Sequence, residues 1–147
     1  MLLSDAGGTM SLDQVHSRHA QLFSGNLISR TQFASASPAK VADFDLTSGS
    51  EAIDKGAFLT RVVGSGESNQ IKVADSRFFT NGYGVIPGDT IQLEGSTVRA
   101  RVTSVDHSSG TLKLDTAIAF RDGQGIALAY EGSAPDIGAM EYGKGGS

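Results

Sequence analysis

Six short segments between residues 58 and 130 constrain this chain more than anything else in it. Residues 58–63, 70–73, 90–93, 97–105, 111–114 and 125–130 are rich in Val, Ile, Leu and Thr, and apolar residues alternate with polar ones along them. A period of two places alternate side chains on opposite faces, which is the pattern of a half-buried strand. The intervening stretches carry turn chemistry. Gly64-Ser-Gly-Glu-Ser-Asn69, Pro87-Gly-Asp89, Glu94-Gly-Ser96, Asp106-His-Ser-Ser-Gly110 and Asp122-Gly-Gln-Gly125 supply glycines for φ > 0 and short polar side chains that bond their own backbone. Short strands at this spacing predict a small closed or nearly closed β-barrel. Residues 74–79 read as one helical turn, followed by the Gly82-Tyr-Gly84 loop. At 147 residues the chain is long enough for a real core and reads as one domain. Its 19 glycines and lack of tryptophan fit a turn-rich β chain rather than a helix bundle.

The N-terminal third is patterned differently. Residues 1–10 read as a strand fragment and a turn. Ser11-Leu-Asp-Gln14 has the form of a capping box, and Leu12, Val15, His19, Leu22 and Phe23 follow at helical spacing up to Gly25. This predicts one amphipathic helix at about 12–23, laying its apolar stripe on a sheet. His16 and His19 are three apart and could share a metal ion, but no third ligand is near them, and a polar helix edge explains both. Residues 26–33 read as extended and 34–40 as a loop. Residues 43–46 read as a short strand with Phe44 and Leu46 on one face and Asp43 and Asp45 on the other. Paired catalytic carboxylates need burial, and nothing around these two indicates it.

Two motifs flank the barrel segment: Gly49-Ser-Glu-Ala-Ile-Asp-Lys-Gly56 and Ser133-Ala-Pro-Asp-Ile-Gly-Ala-Met-Glu-Tyr142. Asp54, Asp136 and Gly138 read as structural turn residues, since a short carboxylate accepts backbone N–H bonds in such turns. Together with Ser11-Leu-Asp-Gln14, Asn26-Leu-Ile28, Phe33 and Asp43-Phe-Asp-Leu46, the motifs resemble the C-terminal end of right-handed parallel β-helix proteins. That is the pectate-lyase-like superfamily, which includes polysaccharide lyases and glycoside hydrolases. Glu51 stands where the family pattern has proline. The resemblance covers nearly the whole chain. It implies a mainly β fold: a β-helix-end-like segment at 1–56 with its N-terminal helix, a small barrel inserted at 57–132, and a closing motif with tail at 133–147. No coil-length repeat precedes residue 50, so the resemblance implies terminal coils without their solenoid. The family's catalytic groove lies along the coils, so no catalytic residue carries over. An end without a solenoid exposes strand edges, which proteins cover, and this predicts a homo-oligomer through the N-terminal region.

Chemistry-bearing patterns are sparse. The chain shows neither a nucleophile elbow nor a phosphate-cradling Walker loop. Arg99 and Arg101 alternate with Val98 and Val102, as a solvated strand face does anyway, and His107 falls in a hairpin loop. The aromatic residues Phe78, Phe79, Tyr83, Phe120, Tyr130 and Tyr142 are better candidates for contact with a ligand, because sugar rings present C–H faces that stack on aromatic rings. Tyr83, Asn81 and Phe79 form the candidate carbohydrate site, although Phe78 and Phe79 also fit as barrel core. The formal charge of −4 and pI near 5.2 leave no electrostatic footprint for nucleic acid, and no basic cluster points to a membrane. Absent cysteines exclude disulfides and thiolate metal sites. The opening residues lack the basic and apolar regions of a signal peptide, which leaves localisation open. The sequence therefore predicts a non-catalytic carbohydrate-binding or structural module, needing no metal or cofactor. A remnant polysaccharide lyase or glycoside hydrolase and a homo-oligomeric interaction protein are the alternatives.

Overall fold

The computed structural model describes residues 3–5, 8–22, 33–35, 37, 39–138 and 140–143. They belong to two compact units, Met1–Thr31 and Gln32–Ser147. In the first unit, β1 (Leu3–Asp5) and β2 (Gly8–Met10) form an antiparallel hairpin that precedes α1 (Leu12–Arg18). The capping box forms as read: the Ser11 hydroxyl accepts from Gln14 N at 3.3 Å, and Gln14 Oε1 accepts from Ser11 N at 2.8 Å. The helix is shorter than its periodicity suggests. His19 leaves helical geometry (φ −132°, ψ 39°) while its N–H still bonds Val15 O, and Leu22 beyond it is 79% exposed. The stripe thus buries Val15 and then stops. Phe23, Gly25 and residues 26–32 lie outside the described residues.

The second unit is a closed barrel of six strands. They are β3 (Thr60–Val63), β4 (Gly66–Val73), β5 (Thr90–Leu93), β6 (Arg99–Asp106), β7 (Thr111–Phe120) and β8 (Gly125–Leu128), in the order β3-β4-β7-β6-β5-β8. The chain is mainly β, as its alternation requires. Strands β5, β6 and β7 are successive neighbours and β8 returns beside β5, a Greek-key arrangement. The β3–β8 pair, Thr60 opposite Ile126, closes the ring. Inward positions carry Val62, Ile71, Ile91, Val102, Leu112 and Ile126, each no more than 1% exposed, and these form one core with Phe79 and Ile118.

Every strand pair among the described residues is antiparallel. A right-handed parallel β-helix stacks its strands in parallel, coil upon coil, so the expectation of a β-helix terminus is corrected here. The two flanking motifs do meet, but through side-chain clasps. Asp54 Oδ1 accepts from Ser133 N (2.7 Å) and Ala134 N (3.1 Å), while Asp136 Oδ1 accepts from Asp54 N (2.7 Å). Backbone bonds from Gly56 N to Pro135 O and from Ile137 N to Ala52 O complete the neck. Gly138 packs near Leu46 without a positive φ.

Three smaller expectations also change. Residues 41–44 form a 3-10 turn rather than a strand, because Asp43 Oδ2 accepts from Ala39 N and Lys40 N and bends the chain; Leu46 then bridges to Phe33. Strand β4 starts at Gly66, since only Gly64 and Ser65 are needed to turn. Strand β7 runs on to Phe120, past an irregular stretch where Asp115 Oδ1 accepts from Arg101 N.

Candidate functional site

In an antiparallel barrel, strand order decides which loops share an end. The β4–β5 connection and the β6–β7 turn lie at one end, and the β3–β4, β5–β6 and β7–β8 turns lie at the other. Side-chain bonds agree: Ser76 Oγ lies 3.1 Å from His107 Nδ1 at the first end, and Gln124 Nε2 donates to Glu94 O at 2.7 Å at the second.

The sequence-predicted carbohydrate residues sit at the first end, in the β4–β5 loop. Asp89 fixes its base: Oδ2 accepts from Thr80 N (2.7 Å), its own N donates to Thr80 O (3.0 Å), and its carbonyl accepts from Val102 N (2.8 Å). Gly88 presses on β6 so closely that a Cβ there would collide with the Val102 carbonyl oxygen. Above this base Asn81 Oδ1 accepts from Tyr83 N at 3.1 Å, and Val85 N and Ile86 N both donate to Gly82 O. The result is a tight 3-10 turn, Gly82–Gly84, in which Tyr83 takes the left-handed φ of 52° and stands 82% exposed. Val85, Ile86 and Phe78 are exposed nearby in the sequence of the same loop. Phe79 has the opposite fate. It is 3% exposed and belongs to the core, so its ring anchors the loop and offers no face to a ligand.

The other candidates have structural partners. Arg99, on the exposed face of β6, donates to Gln92 Oε1 (3.0 Å), Tyr130 O (2.8 Å) and Glu131 Oε1 (2.7 Å). Tyr130 is buried, gives its hydroxyl to Leu93 O and meets Phe58 edge-on at 5.8 Å; burial raises its pKa. Ser76 and His107 contact each other, with Ser76 buried at 4% exposure. Asp75 pairs with Arg77 through two bonds, which pull its pKa down to about 2. Asp106 receives N–H and O–H bonds from Ser108 and Ser109; the Ser108 and Ser109 hydroxyls lead in lowering its pKa to about 2. Backbone N–H groups of Ala134 and then Ser133 lower the pKa of Asp54. Asp43 holds a turn while Asp45 joins the backbone pairing, so they do not form a carboxylate pair on one strand face. Among the described residues no three His, Cys, Asp or Glu side chains group as metal ligands, and no helix is long and apolar enough to cross a membrane.

No family model, curated protein or solved structure matches this chain. Its function has to be argued from its own surfaces. One of these is not apparent in the sequence reading. At the second end of the barrel a cleft of about 490 Å³ opens between the β5–β6 and β7–β8 turns, lined among others by Glu94, Ser96, Thr97, Phe120, Arg121 and Gln124. The sequence signal for it was Phe120-Arg121 directly ahead of the Asp122-Gly123 turn, an aromatic and a cation at a strand end.

Proposed function

We propose that this chain is a non-catalytic binding module: a rigid barrel that presents the β4–β5 loop to a polysaccharide. The observation that carries this reading is Tyr83. A non-glycine residue at positive φ is uncommon and concentrates where the backbone is constrained for function. Here Asn81 and the Gly82 turn hold it there, with the ring displayed to solvent. An aromatic residue whose backbone is already held stacks on a sugar at a lower ordering cost than one on a mobile backbone. The Asn81 amide nitrogen lies on the same turn, where it can reach a sugar hydroxyl. Support for a non-catalytic role comes from the acidic side chains: Asp54, Asp89, Asp106 and Asp122 accept backbone N–H groups in turns, and Glu94 is ion-paired to Arg61.

Affinity electrophoresis in gels containing neutral polysaccharides tests the reading. Retardation of the intact chain, lost in Tyr83→Ala, is the expected result. Equal mobility of both proteins in every gel would overturn it, and release of new sugar ends would favour the lyase or hydrolase alternative. The expectation of self-association through the N-terminal region rests on uncovered coil edges, and the antiparallel fold removes that premise. Light scattering of the intact chain decides it independently.

A further inference from the structure

We infer that the cleft between the β5–β6 and β7–β8 turns is a second binding site, for a sugar ring that carries an anionic group, either carboxylate or sulfate. It does not depend on Tyr83, which lies at the opposite end of the barrel. The volume, about 490 Å³, falls within the range of small-molecule sites and accommodates a sugar ring.

The walls of the cleft are bonded to one another. Glu94 Oε2 accepts from Arg61 at 3.1 Å and from Gly125 N at 2.9 Å; Gln124 donates to Glu94 O at 2.7 Å and accepts from Arg121 N at 3.0 Å. These bonds set the shape before a ligand arrives, which lowers the ordering cost of binding. They also decide the charge. Glu94 is neutralised by Arg61, whereas the Arg121 guanidinium has no ion pair among the described residues. A planar guanidinium matches the paired oxygens of a carboxylate or sulfate. Beside it Phe120 packs in part against the core while also lining the cleft, and β4 opposes it with Gly66, whose position adds no side chain over the ring. An aromatic face for the sugar's C–H groups, a cation for its anionic substituent and the Thr97 hydroxyl for its oxygens therefore meet in one cleft.

Galactose, galacturonate and galactose 6-sulfate share one ring and differ only at the exocyclic carbon, so amide NMR titrations with the three test the idea. The amides of Thr97, Phe120, Arg121 and Gln124 should move with at least one of the anionic sugars, and galactose should bind about tenfold more weakly, the usual share of a charge-assisted pair. Whichever anionic sugar binds more tightly identifies the substituent. Arg121→Gln should erase the preference, and Tyr83→Ala should leave it intact. The Arg121 residue is exposed and its side chain forms no ion pair among the described residues, and the amide spectrum of the variant verifies its fold. Equal response to all three sugars, no movement at these amides, or a preference that survives Arg121→Gln would overturn the proposal. So would sodium acetate or sulfate at matched ionic strength moving the same amides as far, since that is anion contact without sugar recognition. Because the affinity gels use neutral polysaccharides and Tyr83→Ala, the two readings fail separately.

Discussion

At the scale of single residues, Tyr83 offers the sharpest test of whether strain is kept for function. Left-handed backbone costs a residue with a Cβ about 1 kcal/mol, and glycine escapes that cost. Tyr83→Gly should therefore hold or raise the thermal midpoint while abolishing retardation in polysaccharide gels; a variant that loses stability and keeps binding would make Tyr83 a structural residue. Asp54 also has positive φ, at 58°, but its carboxylate is committed to the neck. Asp54→Ala removes the acceptor for two N–H groups at an unfavourable φ, and should lower stability by about 1–2 kcal/mol in denaturant titrations. Asp54→Asn keeps an acceptor and tolerates the backbone, so it should lose less. Asp106 gives a pH prediction. Its pKa falls from 3.8 to about 2 because serine hydroxyls and N–H groups bond the ionised form. A depressed folded pKa means the hairpin's stabilisation is complete above 3.8 and fades as the pH drops through about 2. Carbon NMR of the Asp106 carboxyl should show the low midpoint; one near 3.8 would mean that the serine bonds are not formed in solution.

Elements differ in how much of them can be read locally. The six barrel strands were legible because each alternates over its own few residues, and the capping box of α1 was legible because its partners are three residues apart. Where the reading failed, the deciding contact was distant or the local pattern was broken. Asp115-Thr116-Ala117 interrupts the alternation of β7, yet pairing with β4 resumes at Ile118, so Phe120 and the cleft it helps to line lay beyond the apparent strand end. The stripe of α1 continues on paper through Leu22, but a stripe predicts a helix only if something covers it, and Leu22 is exposed. Asp54 and Asp136 of the flanking motifs accept backbone N–H bonds, while the family resemblance the motifs suggested fails on strand direction, which no short motif encodes. For the β4–β5 loop, the rigid element is its seam on β6. Gly88→Ala places a methyl against the Val102 carbonyl, a backbone atom that cannot turn aside. We expect overpacking of about 1–3 kcal/mol in urea titrations, with altered amide shifts at Asn81 and Tyr83 and none at Arg121. Equal disturbance at both ends would mean that the loop and the cleft are mechanically coupled.

At the scale of the whole molecule, closure is what lets two separate surfaces stand on so short a chain. An open sheet of these strands would present two unpaired edges; the β3–β8 pair removes both and ties the start of the barrel to its end. The pair is reinforced outside the ring, where Phe58 lies so close to Gly125 that an added Cβ would come within 2.5 Å of its ring. Closure also implies cooperativity, since no strand can leave without exposing edges on both of its neighbours. Leu112, fully buried near the start of β7, tests this. Leu112→Ala should cost about 3–5 kcal/mol through the cavity it leaves. If the barrel opens as one body, amide exchange at Ile71 on β4, Val102 on β6 and Ile126 on β8 should accelerate by the same factor, although Ile126 sits across the ring from the substitution. Acceleration confined to Ile71 and Val102 would show that β8 and β3 separate on their own. The barrel would then be a sheet with a closing flap, and the cleft, which spans the β5–β6 and β7–β8 turns, would open and shut with it.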